Sequence, residues 1–584
     1  MEMRVSQGLD PITLEVVRNS LVATVKEMTD NLVRTAYSPI AAEIKDFSVG
    51  LHDARGDSIM QAPHAAPAFI ADLDGTIRKG IELYGIEGFE PGDIVLCNDA
   101  ATNGQHLNNM AAYTPIIVAG ELLGFAAVRS HWIDVGGMIS GSMPVNARDI
   151  FAEGWQFPTM KVYRAGKPDA EMHRFISVNS RFPELVLGDM RAQISACRLG
   201  ERRFVELVAK YGKDTVLACI RRIWDEAEII SRKAVEAIPD GTYEASCRLD
   251  NDGISFDKPI PLRVRVVVSG SDMTVDFTGT SPQVEGPYNS RAADAVARIA
   301  FKYLTTPALP ATAGAFRNLK LVCPEGTVLS ASGKAPIAWW NMPVNSSIEL
   351  ILKALYPALP HGVTAGHSDN IGAGQLAGTD PRTGKPFQTF IPYAGAWGAT
   401  HAQDGQSGIV SLIQGDVRLM PIELRENMFP LRIVEMSLRP DSGGAGKFRG
   451  GLGVKVVQEA LADCQYQAQY ERTLDAPWPL GGGKPGAITK TWKTRADQPE
   501  MHEPLPLKCN DYRFTPGDQE VLLTGGGGGY GAPFERDMER VRADVVGGYV
   551  SVEAARREFG VVIDPTTLEI DRSATRKTRG GDHG

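Results

Sequence analysis

The sequence predicts an α+β fold. Three observations carry the prediction: an amphipathic helical stripe near the start, a long helical stretch at about residues 184–238, and antiparallel strand patterns on both sides of it. The first helix runs from about Pro11 to Tyr37. Asp10 can cap it and Pro11 suits its first position. Leu14, Val17, Leu21, Val25, Met28 and Leu32 recur at three- and four-residue steps and form one apolar face. Phe47–Leu51 reads as a strand before the turn His52-Asp53-Ala54-Arg55-Gly56, and Ile94–Leu96 as another. Pro115–Val118 and Leu122–Val128 flank Ala119-Gly120-Glu121 as a hairpin. The helical stretch breaks at Tyr211-Gly212 and ends at Pro239-Asp240-Gly241. Alternating Leu262, Val264, Val266 and Val268 mark antiparallel strand between Thr242 and Phe277. Helices are expected at Ala292–Tyr303, Ser346–Tyr356, Val541–Val546 and Val552–Phe559.

Composition narrows the class. The chain has 584 residues, 43% hydrophobic and 22% charged, ordinary for a globular protein. Its 61 glycines are about 10% against a usual 7%, without a collagen period. The excess is concentrated after residue 360, in clusters at 443–453, 481–486 and 525–531. The net charge of −9 argues against general nucleic-acid or anionic-membrane binding. Seven cysteines, with no C-x-x-C, read as reduced thiols. No leader and no membrane span is apparent, so a cytoplasmic location is expected. The parts expected are 1–240, carrying the site; 241–360, β-rich with helices; 361–565, glycine-rich; and 566–584, a flexible tail.

The chemistry-bearing residues cluster before position 140. Asp46, His106 and His131, with Asn109 close to His106, come from three segments and include the imidazole and carboxylate groups of a divalent-metal site. Ordinary hydrogen-bonded histidines are the competing reading. The run Gly525–Gly529 has no Lys-Ser/Thr after it, so a phosphate loop is not supported. Ser140 and Ser142 do not form a nucleophile elbow, and Trp339-Trp340 reads as core.

An ordered series of blocks resembles the hydantoinase B family. It runs through Asp10-Pro11-Ile12-Thr13, Asp46-Phe47-Ser48, Gln61-Ala62-Pro63-His64, Pro91-Gly92-Asp93 and Asn98-Asp99. It continues with Asp134-Val135-Gly136-Gly137, Gly141-Ser142-Met143-Pro144 and Ile150-Phe151-Ala152-Glu153-Gly154. Late blocks include Asp441 to Gly446, Arg449-Gly450-Gly451, Gly526 to Gly531 and Gly548-Tyr549-Val550-Ser551. The resemblance implies β-sheets in a barrel-like arrangement with flanking helices, joined to a bundle of short polyproline-II-like glycine-rich segments. It implies a component of an ATP-dependent enzyme, either a cyclic amidase or a ketone carboxylase. ATP is expected on hydantoinase A-type kinase partners, in a hetero-oligomer that can include small subunits.

The metal ligands implied by the resemblance fall on Asp46, His106, Asn109 and His131, where a zinc or manganese ion would sit. Position 109 departs from the family's Asp, and an amide is a weaker ligand than a carboxylate. This weakened site, with the aromatic Trp132 next to His131, leads to a first expectation of a carboxylase. It would join the phosphorylated enol of an aromatic ketone such as acetophenone to activated bicarbonate. His106 and His131 would serve as acid/base or polar anchors, oriented by Asp46. The alternatives are the B-type subunit of a cyclic amidase of the N-methylhydantoinase, 5-oxoprolinase or caprolactamase type, and a non-catalytic scaffold.

Overall fold

The computed structural model describes residues 9–63, 66–69, 73–368, 373–390, 393–415 and 417–580. His64, one of the family-like residues, lies outside them. The first helix spans Pro11–Thr35. The Asp10 carboxylate accepts from the N–H groups of Ile12 and Thr13, and the six-residue stripe is buried. This helix packs on Pro183–Tyr211, which is followed after Gly212 by Lys213–Glu236.

The helix Pro183–Tyr211 lies against a seven-stranded antiparallel sheet. Its strands are β1 (Phe47–Asp53), β2 (Ser58–Gln61), β3 (Ile94–Cys97), β4 (Asn109–Val118), β5 (Glu121–His131), β6 (Met160–Arg164) and β7 (Lys167–Pro168). Their order is β2-β1-β5-β4-β3-β6-β7. Ala119 and Gly120 turn β4 into β5 with φ of 51° and 82°, a two-residue turn whose twist suits the strands it joins. Both hairpin arms are longer than the sequence pattern suggests. They are buried on both faces, so no apolar–polar alternation marks their ends. The pleat still sorts their residues. Met110, Ala112, Ala126 and Val128 enter the main core beneath the helices, while Ala111, Tyr113, Phe125 and Ala127 enter a second, smaller cluster.

The middle of the chain supplies strands Gly241–Leu249, Ile260–Ser269 and Asp272–Asp276, with Leu319–Val322 added in parallel. The helix Asn341–Leu355 starts five residues before the expected Ser346. Pro343 falls in its first turn, where a missing N–H costs nothing.

The α+β class holds, but no closed barrel forms among the described residues. The large sheet ends in β2 and β7, four and two residues long, which do not pair with each other. The glycine blocks pack backbone on backbone: Gly444 N–H donates to Gly527 O, Gly527 N–H to Gly451 O, and Gly528 N–H to Gly366 O. A Cβ on Gly450 would strike Gly527 O, and one on Gly527 would strike Trp397 O. The stretch from 566 onward, expected as a flexible tail, instead docks as far as Gly580. Thr575 Oγ1 receives the Val562 N–H at 3.0 Å, and Arg579 donates to Phe559 O and Arg536 O. All seven cysteines are free thiols. Among the described residues no helix is long and apolar enough to cross a membrane.

The backbone collisions set a stability test. Gly527→Ala is expected to cost about 3 kcal/mol or more, since backbone has to move. Gly384→Ala has open space at φ +69°, and should cost only about 1–2 kcal/mol. Denaturant midpoints of the two variants check the ranking.

Candidate functional site

Three neighbouring strands end at one rim of the large sheet and carry three of the four candidate residues there. Asn109 opens β4 and pairs with His131, the last residue of β5. Asp46 immediately precedes β1, and its carbonyl receives the His131 N–H at 3.1 Å. The preceding Lys45 is left-handed, φ 62°, and turns the chain out of the Ile40–Ile44 helical segment. His106 lies in the turn before β4, where its carbonyl receives the Asn109 N–H at 3.1 Å. The His106 and His131 rings meet edge to face with centroids 4.9 Å apart.

All four residues line one cleft with a cavity volume of about 50 Å³. The opposite walls come from far along the chain: Trp339, Trp340, Asn341, Gln375, Phe390 and Gln414. Phe390 lies 4.7 Å from His131, ring to ring, and Trp340 6.0 Å from His106. These residues carry no periodicity or motif that would have marked them in the sequence. The pair Trp339-Trp340 lies in the main core, as read there, and also lines the cleft; neither indole N–H has a partner among the described residues.

Trp132 goes the other way. It is fully buried and donates its indole N–H to Gln193 Oε1 at 2.7 Å, on the helix Pro183–Tyr211. Adjacent strand residues point to opposite faces. With His131 facing the cleft, Trp132 points toward that helix, so it offers no platform for an aromatic substrate. Ser142 is structural as well: its hydroxyl donates to Asp134 and receives the N–H groups of Val135 and Gly137.

Asp46 keeps part of its surface exposed, while His106, Asn109 and His131 are buried. Desolvation alone pushes the Asp46 carboxyl up to about 7. Burial pulls His106 down to about 4, against the opposing pull of the Ala338 carbonyl and the Asn109 side chain. Burial, and then the neighbouring His106, hold His131 far below the ordinary imidazole range. Both imidazoles are therefore neutral at pH 7. His106 Nδ1 lies 3.0 Å from Ala338 O. A carbonyl only accepts, so Nδ1 carries the proton and the lone pair is on Nε2. Both His131 ring nitrogens, Asn109 Oδ1 and Asn341 Oδ1 have no hydrogen-bond partner among the described residues. Asn109 spends its amide N–H on Gln105 Oε1, 2.7 Å away.

The donor chemistry of two imidazoles, a carboxylate and an amide oxygen is of the kind a zinc or manganese ion takes. The placement is less favourable. Among the described residues no three His, Cys, Asp or Glu side chains are set to share one ion. With an amide at 109, the set does not fit a tightly held metal.

The family model described as hydantoinase B/oxoprolinase matches residues 10–533, and the chain belongs to that family. It is 33% identical to the B-type subunit of a putative D-/L-hydantoinase of Pseudomonas sp. (strain NS671), over 98% of each chain. The crystal structure of the ATP-dependent caprolactamase from Pseudomonas jessenii superposes with a TM-score of 0.91 at 29% identity, covering 98% of this chain and 100% of that one. A nucleotide-free acetone carboxylase structure also gives 0.91, at 20% identity over 98% of this chain and 83% of that one, which shows the shared fold.

The rim can be tested in two ways. Asn109→Asp should raise zinc or manganese affinity at least about tenfold by restoring a second carboxylate, read as metal retained after desalting by elemental analysis. The second test concerns pH. The folded chain keeps the Asp46 proton up to about 7, while the unfolded chain loses it near 3.8. The stability this group provides is fully present below the unfolded value and is lost as pH rises through about 7. In chelator-treated protein, Asp46→Asn should therefore melt higher than wild type at pH 8.5, by roughly 2 °C or more, with the gap narrowing toward pH 5.

Proposed function

We propose that this chain is the non-kinase, B-type subunit of an ATP-dependent cyclic amidase, opening a ring such as a hydantoin, 5-oxoproline or a lactam. The observation that carries the reading is the set of partnerless polar atoms on residues that line the cleft. Asn109 Oδ1 and Asn341 Oδ1 are acceptors, and the Trp339 and Trp340 indole N–H groups are donors. A cyclic amide offers both N–H and C=O groups and complements both kinds. An aryl ketone has only an acceptor and would leave the two amide oxygens unsatisfied, at a cost of about 1–3 kcal/mol each. The caprolactamase likeness, over 98% of this chain and 100% of that one, supports the same choice.

In this reading a hydantoinase A-type partner uses ATP to phosphorylate the amide oxygen. Water then adds to the activated ring carbon within the cleft, and its proton passes to Asp46. A carboxyl held near 7 is suited to accept a proton and return it at neutral pH. The returned proton goes to the ring nitrogen as the C–N bond breaks, leaving an acyl phosphate and a free amine. A second water releases inorganic phosphate and the open-chain amino acid. Neutral His106 and His131 hold water and substrate without attracting a competing anion, and the aromatic walls keep bulk water out.

Reconstitution with the A-type partner tests this. ATP-dependent ring opening is expected with at least one cyclic amide. Asp46→Asn should lower kcat about 10²–10⁴-fold, and Trp340→Phe should act mainly on KM. Ketone carboxylation dependent on bicarbonate, with every cyclic amide inert, would overturn the assignment.

A further inference from the structure

Behind the cleft, the short helical turn Ile150–Glu153 docks on the segment that leads into the helix Asn341–Leu355. Asp149 caps this turn, its carboxylate accepting from the N–H groups of Phe151 and Ala152. The Ile150 N–H reaches Lys334 O at 3.0 Å. Three residues on, Glu153 is 1% exposed, and its Oε1 accepts two successive backbone N–H groups, from Ile337 at 2.6 Å and Ala338 at 2.8 Å. The carbonyl of that same Ala338 holds His106 Nδ1. The next three residues, Trp339, Trp340 and Asn341, are cleft wall. One buried carboxyl thus holds the N–H side of Ala338, the residue whose carbonyl meets the His106 ring and which precedes the wall facing it.

We propose that Glu153 is a positioning residue for this site: by clamping the Ile337 and Ala338 N–H groups it aims the Ala338 carbonyl at His106 Nδ1, which fixes that ring as the Nδ1–H tautomer and presents the Nε2 lone pair. Glu153 acts only through the backbone and touches nothing in the cleft. The assignment takes from the proposed function only that His106 is a site residue.

The clamp does not need a charge. Burial pushes the Glu153 carboxyl well above the ordinary range against the pull of the two N–H groups, and its Oε2 has no partner among the described residues. A neutral side chain of the same length, with one carbonyl oxygen at the Oε1 position, satisfies the same two donors. Glutamine supplies that oxygen, alanine does not, and aspartate is one methylene too short to reach both. Loss of a group that orients a site histidine from behind typically costs about 10–100-fold in activity.

The experiment uses the full chain, selectively labelled with [15N]histidine, with His106 assigned by its absence in His106→Gln. Wild type is expected to show the Nδ1–H tautomer signature at His106. Glu153→Gln should retain it, and Glu153→Ala and Glu153→Asp should lose it or show mixed tautomers. All three variants are compared with wild type in thermal midpoint. In the reconstituted complex, kcat should fall about 10–100-fold in Glu153→Ala and recover to within about threefold in Glu153→Gln. An unchanged His106 signature in folded Glu153→Ala or Glu153→Asp overturns the proposal. So does an equal loss of signature in folded Glu153→Gln. If Glu153→Ala does not fold, the aspartate and glutamine variants give the same comparison. The tautomer readout needs neither substrate nor partner, so it stands if the cyclic-amidase reading fails. An intact signature pattern with no ring-opening activity would count against that reading alone.

Discussion

The site depends on strand register. The His131 N–H bonds to the Asp46 carbonyl, and Asn109 stands opposite His131 in the ladder. These pairings set three chain segments end to end on one rim. Side chains in a strand alternate with a period of two, so a one-residue slip of β4 against β5 would turn one partner's side chain out of the cleft. Register is firmly specified here because both faces of β4 and β5 are buried. Met110, Ala112, Ala126 and Val128 belong to one core, and Ala111, Tyr113, Phe125 and Ala127 to another. The functional rim is thus held by apolar packing in the middle of the sheet.

The same rule separates what could be read in the sequence from what could not. The first helix, its Asp10 cap and the β4–β5 turn are local features, and local patterns gave them. Asp46, His106, Asn109 and His131 were found through the order of family-like blocks, and they do share a cleft. The face a side chain takes is a tertiary fact, and there the sequence misled. Trp132 was drawn into the pocket by its proximity to His131, yet alternation sends it to Gln193. Trp339 and Trp340 do belong to the main core, as read, but their second role, lining a cleft with His106 and His131 more than 200 residues earlier, had no local signal. Barrel closure was not legible either, because it depends on edges that meet only in three dimensions, and β2 and β7 do not.

Glycine has its explanation in the same geometry. Several clusters that fail as phosphate loops are places where backbones cross with no room for a Cβ. Gly444, Gly450, Gly451 and Gly527 are bonded or pressed to one another. The strand Ala373–Thr379, which pairs with Cys464–Gln469, carries the cleft residue Gln375. Composition therefore pointed to architecture, while the candidate site is built from a few residues with no compositional signature.

A comparison within the molecule gives the cleft its meaning. Glu520 is fully buried, as deep as any group at the rim, and its carboxylate receives Tyr466, Tyr470, Gln458 and Thr491. This fold can surround a buried acid with donors where the acid serves the structure. It does not do so at Asp46, where desolvation stands uncompensated, nor at His131, Asn109 or Asn341, whose lone pairs have no partner among the described residues. A partnerless buried polar group costs about 1–3 kcal/mol, and several of them line one cleft. Unmet hydrogen-bonding capacity on residues that share one cleft is what a site shaped for a polar ligand requires.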